Sequence, residues 1–122
     1  MSDLTTLVDT HLAAYGNPDK AARDAAIARV WAADGAVVDP PLTGEGHAGI
    51  SDLAAAVQSQ FPGHTFRRTS GIDAHHDVLR YAWELVGPDG AVAVSGLDVA
   101  VVADGRLQRV AGFFGELEPR AV

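Results

Sequence analysis

Two aspartates stand in sequence surroundings that could make their carboxyl groups reactive. Asp98 lies within 92–102, the most apolar stretch of the chain. On the inner face of a paired strand its carboxyl group would be partly desolvated, which favours the neutral form and raises its pKa. On the outer face it would be an ordinary solvated charge. Asp39 ends the apolar run 36–38 and precedes two prolines, whose rigid turn would fix the direction of its side chain. Asp39 could therefore carry chemistry, or it could simply cap that turn.

His11 is the third residue that could carry chemistry. It lies on the apolar stripe of a predicted helix, between Leu7 and Tyr15. A histidine in such a place is usually a core residue with one satisfied hydrogen bond. Its imidazole can nevertheless donate a hydrogen bond, and imidazole titrates close to neutral pH. We therefore keep His11 as a candidate beside the two aspartates.

Aromatic side chains could line an apolar cavity around these polar groups. By default they are core or sheet-face residues, and any of them could also face a ligand. The predicted ligand contacts are Tyr15, Trp31, Trp83 and Phe113.

Other familiar motifs are absent or out of context. The loop 44–49 formally matches G-x-G-x-x-G, but it follows two prolines rather than a parallel strand, and no acid stands about 20 residues further on. His75 and His76 are adjacent, so in a strand they would point to opposite faces and could not share a metal ion. The chain has no cysteine, which excludes thiol nucleophiles and thiolate-bound zinc. We predict no metal and no cofactor.

Composition limits the class of protein and its partners. The 122 residues suit a single domain, 1–122, with 48% apolar and 20% charged residues. The net charge of −7 argues against a nucleic-acid partner and against binding to an anionic membrane. No apolar run approaches the roughly 20 residues of a membrane span. A cytoplasmic location is the simplest prediction.

The hydrophobic pattern predicts which elements must position the candidate residues. Helical spacing occupies 4–15, 20–33 and 50–61, and strand patterns occupy 36–39, 64–72, 76–86, 91–103 and 106–117. Helices followed by a run of strands indicate an α+β fold rather than βαβ alternation. Long antiparallel strands curling over a helical layer would leave a cavity between sheet and helices.

The order of these elements resembles the nuclear transport factor 2-like superfamily, which includes SnoaL-type polyketide cyclases, limonene epoxide hydrolases and ketosteroid isomerases. The resemblance covers 4–118 and is closest to the ketosteroid isomerases. The segments that carry it are His11-Leu12-Ala13-Ala14-Tyr15, Val37-Val38-Asp39-Pro40, Leu97-Asp98 and Gly112-Phe113-Phe114-Gly115-Glu116. It implies a cone-shaped, curved antiparallel sheet wrapped around three N-terminal helices.

The resemblance also implies roles for the candidate residues. Asp39 would shuttle a proton between carbons of an enone, and a protonated Asp98 would help to hold the enolate oxygen. His11 stands where the family has a tyrosine that donates to the same oxygen. Tyr15, one helical turn later, could replace that donor if its ring points into the same cavity.

The leading hypothesis is a small, cofactor-independent acid–base enzyme of the isomerase or cyclase kind. Its substrate would be an apolar small molecule with a carbonyl group. The alternatives are a non-catalytic ligand-binding module of the same fold and a purely structural dimerisation domain. We also expect a homodimer through the outer sheet face, because alternating Val, Leu and Phe would leave a large apolar patch there.

Overall fold

The structure, a computed structural model, describes residues 3–120. Residues 1–2 and 121–122, the ends of the predicted domain 1–122, lie outside the described residues. The helices are α1 (Leu4–Ala14), α2 (Lys20–Val30) and α3 (Gly46–Gln60). The strands are β1 (Trp31–Val38), β2 (Thr43–Glu45), β3 (Thr65–Arg68), β4 (Asp73–His75), β5 (Val78–Val86), β6 (Val92–Ala103) and β7 (Arg106–Phe114).

Aspartates begin the first two helices. The Asp3 side chain accepts a hydrogen bond from the backbone N–H of Thr6, and the Asp19 side chain accepts one from Ala21. Each carboxylate thereby satisfies an amide that the first helical turn leaves without an intrahelical partner. The Asp3 cap fixes the start of α1, the helix that carries His11 and is followed directly by Tyr15.

The second helix is shorter than predicted. It ends at Val30 rather than near residue 33, and Trp31 already has extended backbone geometry and pairs with Leu107 of β7. Sheet pairing therefore overrides the helix preference of the two alanines that follow Trp31. As a result, β1 begins five residues earlier than predicted.

The sheet has the strand order β2-β1-β7-β6-β5-β3, with β4 paired to β5. The predicted α+β class, with three helices and a curved sheet that does not close, is confirmed. The expectation of a wholly antiparallel sheet is wrong for one pair, because β1 and β7 run parallel. The long chain segment between these two strands allows the first strand to enter beside the last one in the same direction.

Other boundaries also differ from the prediction, and helix α3 begins at Gly46 rather than near residue 50. The segment 64–72 forms only the short strand β3, and β4 follows it at Asp73. The glycine-rich loop contains the strand β2, which pairs with β1. His76 has a left-handed backbone and stands in the turn before β5. The two ring Nδ1 atoms of His75 and His76 therefore lie 3.0 Å apart instead of on opposite faces.

The two faces of the sheet have different surroundings. Along β5 every second side chain is buried, namely Leu79, Tyr81, Trp83 and Leu85, and these pack in one core with the helices. The other face exposes Leu97, Val99 and Phe113. The homodimer through this face stays a prediction. No helix within residues 3–120 is long and apolar enough to cross a membrane.

Candidate active site

A cavity of about 70 Å³ lies between the inner face of the sheet and helices α1 and α3. Its buried end contains polar groups from His11, Tyr15 and Asp98. Pro41, Gln60 and Phe114 are exposed lining residues and form its mouth. The remaining lining residues, apart from Asp39, are apolar: Leu12, Val37, Leu42, Leu53, Val57, Phe61, Phe66, Trp83, Leu85, Val94 and Val110. This is an apolar site with a few convergent polar groups.

Sheet register brings the two candidate aspartates together. Asp98 on β6 pairs with Tyr81 on one side and with Gly112 on the other. Asp39 follows Val38, whose partner immediately precedes Gly112. A Cβ atom on Gly112 would overlap Asp39 Oδ1 and would lie 3.2 Å from Asp98 Oδ1. The two carboxyl groups therefore face each other across a position that carries no side chain.

Asp98 is buried on the inner face and accepts two hydrogen bonds. The Tyr81 hydroxyl donates to Oδ2 at 2.8 Å, and the Trp83 indole Nε1–H donates to Oδ1 at 2.9 Å. Gly96, the strand partner of Trp83, leaves the space that the indole ring occupies. An indole N–H can only donate, and two donors favour the charged carboxylate. The neutral, donating Asp98 that the resemblance implies stays a prediction.

His11 lies against Asp98 at the buried end of the cavity. It is 2% exposed, and its Nε2 atom is 3.8 Å from Asp98 Oδ2. Nδ1 is buried and has no hydrogen-bond partner within residues 3–120. The tautomer with its proton on Nε2, towards Asp98, avoids a buried donor without an acceptor. The rings of Tyr15 and Trp31 pack edge-on against the imidazole and fix its plane.

Tyr15 supplies a hydrogen-bond donor that the protein does not use. Its side chain lines the cavity, and its buried hydroxyl has no partner among residues 3–120. Burial, together with the nearby charges of Asp39 and Asp98, raises the pKa of this phenol well above its usual value. The hydroxyl therefore stays protonated and can donate to a bound acceptor. An unpaired buried hydroxyl is destabilising, so a ligand oxygen at this point would remove a cost.

Asp39 is the partly exposed carboxyl group of the site. Its backbone N–H donates to Leu42 at 2.9 Å, whereas its side-chain oxygens accept no hydrogen bond from residues 3–120. The pKa of Asp39 is raised to about 6, first by burial and then by the charge of Asp98, while His11 acts in the opposite direction. The turn that contains Pro40 and Pro41 is closed by this backbone hydrogen bond and not by the Asp39 side chain. The carboxylate is thus free to accept a proton near neutral pH.

Five of the seven predicted site residues line the cavity: His11, Tyr15, Asp39, Trp83 and Asp98. Trp31 is buried behind His11 and is not a lining residue. Phe113 is 60% exposed on the outer face, and its neighbour Phe114 lines the mouth instead. Side chains alternate along a strand, so counting by twos from Gly112 identifies Phe114 as the inward ring.

Spacing along one strand does not reveal pairing between strands, so the sequence does not show the role of Gly112 or that Tyr81 and Trp83 donate to Asp98. No group of three or more histidine and acidic side chains within residues 3–120 has the geometry of a metal site.

Comparison with known proteins shows the family to which the chain belongs. No protein-family model and no curated protein matches the chain, but solved structures do. One is a candidate isomerase of the SnoaL-like family from Agrobacterium tumefaciens strain C58. It is 34% identical, with 92% of this chain and 97% of that chain covered and a TM-score of 0.86.

Two more distant structures share the fold. A candidate polyketide cyclase from Sinorhizobium meliloti is 17% identical, with 88% of this chain and 93% of that chain covered and a TM-score of 0.70. A hypothetical protein with a ketosteroid isomerase-like fold from Catenulispora acidiphila is 18% identical, with 88% of this chain and 83% of that chain covered and a TM-score of 0.72. On the strength of the 34% identical relative, this chain belongs to the SnoaL-like family.

Proposed function

We propose that this protein is a cofactor-independent acid–base enzyme that moves a proton on a carbon next to a carbonyl group. The observation that carries the proposal is the pairing of two unused groups in one apolar cavity. The Asp39 carboxylate can accept a proton, and the Tyr15 hydroxyl can donate a hydrogen bond. The likeness to a candidate isomerase and a candidate cyclase supports this class of reaction.

The first step in this proposal is the formation of an enolate. Tyr15 donates a hydrogen bond to the carbonyl oxygen, and Asp39 removes a proton from the adjacent carbon. The electron pair of the broken C–H bond forms a carbon–carbon double bond, and the π electrons of the C=O bond move to the oxygen, where the Tyr15 hydroxyl stabilises the developing charge. Asp39, now protonated, returns the proton at another carbon in an isomerisation. In a cyclisation the enolate carbon instead attacks the carbon of a second carbonyl group in the same molecule, the π bond of that group breaks, and its oxygen takes the proton from Asp39.

The lining of the cavity favours an uncharged substrate. It contains two carboxyl groups and neither lysine nor arginine. A carboxylate or phosphate on the substrate would therefore meet like charge in an enclosed apolar space, where Coulomb repulsion is poorly screened. A neutral ketone or enone avoids this repulsion and acquires negative charge only at the oxygen that Tyr15 faces.

The size of the cavity suggests how such a molecule enters. A buried water molecule needs a cavity volume of roughly 10–15 Å³. This cavity, with a volume of about 70 Å³, therefore holds only a few heavy atoms. The reacting carbonyl group and its adjacent carbons fit at the buried end. The rest of the substrate would extend through the mouth beside Phe114.

The test is the conversion of cyclohex-3-enone to cyclohex-2-enone, followed by the absorbance of the conjugated product. We expect turnover by the parent, and a loss by a factor on the order of 100 to 10,000 in Asp39→Asn, which keeps the size of the side chain and removes its basicity. Asp52→Asn is the matched control, because Asp52 is an exposed residue of α3. Its turnover should equal that of the parent.

Absence of turnover by the parent at every pH between 5 and 9 would contradict the proposal. Thermal stabilisation of such an inactive protein by phenol would then indicate the binding module instead.

A further inference from the structure

Asp98 is a buried charged group that the steps above leave unused. It lies in the middle of β6 and is 5% exposed, and its two oxygen atoms are held by Tyr81 and Trp83. Burying a charged carboxylate costs free energy, so a buried aspartate that takes no part in the reaction calls for a physical explanation.

We propose that Asp98 is a positioning residue that acts as a fixed negative charge and makes the Asp39 carboxylate a stronger base. Gly112 has no side chain, so the two carboxyl groups can approach each other over it. The inference rests on the proposed function, because it assigns the strength of the base in the same site.

The hydrogen bonds argue that Asp98 carries its charge. The indole Nε1–H of Trp83 has no lone pair to offer, so Oδ1 of Asp98 must accept. Oδ2 accepts from the Tyr81 hydroxyl and also faces Nε2 of His11 at 3.8 Å. Donors on both oxygens stabilise the carboxylate relative to the protonated acid.

Gly112 sets the separation of the two charges. The position where its Cβ would stand is occupied by Asp39 Oδ1 and is 3.2 Å from Asp98 Oδ1. Any side chain there would push the Asp39 carboxyl group away from Asp98. A glycine on β7 is therefore needed for the charge of Asp98 to act on Asp39 at short range.

The other groups around Asp39 are few. Helix α1 presents His11 and Tyr15, β6 presents Asp98, and the remaining lining residues carry no charge. Burial and the charge of Asp98 both raise the pKa of Asp39, whereas His11 lowers it. Removing the Asp98 charge should thus make Asp39 a weaker base without altering its burial.

The experiment is a ¹³C NMR titration of the Asp39 carboxyl carbon in protein labelled at aspartate. In Asp98→Asn the amide oxygen can accept from Trp83, and the amide nitrogen can donate to the Tyr81 oxygen, so the fold should survive. We expect the pKa of Asp39 to fall by about 1, within the range of effects of a neighbouring charge. Asp104→Asn, in the exposed turn after β6, is the control for removing a distant charge and should leave the titration unchanged.

Gly112→Ala is a second variant that keeps Asp98 intact and moves Asp39. We expect the pKa of Asp39 to fall here as well. Gly71→Ala is its control, because a Cβ there meets nothing within 4 Å and the backbone is not left-handed.

An Asp39 pKa that is unchanged in Asp98→Asn, or in Gly112→Ala if the first variant does not fold, would overturn the role of Asp98. A neutral Asp98 acting as a donor would give that result. The titration needs no turnover, so an inactive parent counts against the proposed function only. An unchanged titration in an active enzyme counts against the role of Asp98 only.

Discussion

Asp39 and Asp98 face each other across Gly112, yet their two carboxyl groups have different surroundings. Asp98 lies in the middle of a strand, buried, with a donor on each oxygen. Asp39 follows the end of β1, lies near the mouth and accepts no side-chain hydrogen bond from residues 3–120. The same residue type is thus fixed as a charge in one place and left free to take a proton in the other. The difference lies in the supply of hydrogen-bond donors.

After the loss expected for Asp39→Asn, the next largest effect should come from removing the Tyr15 hydroxyl, the hydrogen-bond donor of the proposed mechanism. Tyr15→Phe deletes only the hydroxyl, and we expect turnover of cyclohex-3-enone to fall by about 100- to 1,000-fold, as for the loss of one donor to a developing oxyanion. Stability should not fall, because the deleted hydroxyl has no partner within the described chain. Kinetics of the variant test the expected loss of turnover, and urea denaturation tests the expected unchanged stability. Full turnover in Tyr15→Phe would remove this residue from the mechanism.

The next effect concerns Asp98, the carboxyl group that accepts two hydrogen bonds. Asp98→Ala leaves the Tyr81 hydroxyl and the Trp83 indole N–H unpaired and buried, and each unpaired donor costs about 1–3 kcal/mol. We expect the free energy of unfolding to fall by about 3 kcal/mol in total. Asp98→Asn, which keeps the hydrogen bond from Trp83 and reverses the one with Tyr81, should lose less than half of that. Equal losses in the two variants would show that these donors do not depend on Asp98.

The smallest effect concerns the contribution of Asp39, the partly exposed carboxyl group, to the free energy of unfolding. The folded-state pKa of Asp39 is about 6 against an ordinary 3.8, so between these values the folded chain binds more protons than the unfolded chain. The contribution of Asp39 therefore becomes less favourable as the pH rises through this window. The shift corresponds to at most about 3 kcal/mol, and solvent screening of the partly exposed carboxyl group reduces it to about 1 kcal/mol.

Asp39→Asn should accordingly stabilise the protein by about 1 kcal/mol at pH 8 and not at pH 4. Thermal melts at the two pH values measure this difference. A loss of stability in Asp39→Asn at both would instead support the turn-capping interpretation of this residue.

The same comparison explains how far the sequence could lead. Asp98 is recognisable because a charge in an apolar strand is unusual, and Asp39 because prolines follow it. The two donors to Asp98 are 17 and 15 residues away along the chain and meet it only through strand pairing. The parallel contact of β1 with β7, which brings Asp39 to Gly112, depends on a tertiary arrangement that local patterns do not contain.

Ring orientation was predictable in principle but was assigned to the wrong neighbour. Phe113 and Phe114 are equally apolar, and only the inward direction of Gly112 shows which of them reaches the cavity. The three helices and the long strands follow directly from hydrophobic periodicity. The end of α2 does not, because the pairing of Trp31 with β7 decides it.

The central claim is that Asp39 is the base of this site, and the pH dependence of kcat/KM of the parent on cyclohex-3-enone tests it most directly. The base must be ionised to accept a proton, so kcat/KM should rise with pH through an inflection at about 6, the pKa of Asp39. The residual activity of Asp39→Asn should lack this inflection. A rate that does not change between pH 5 and 8, or an inflection that persists in Asp39→Asn, would contradict the account.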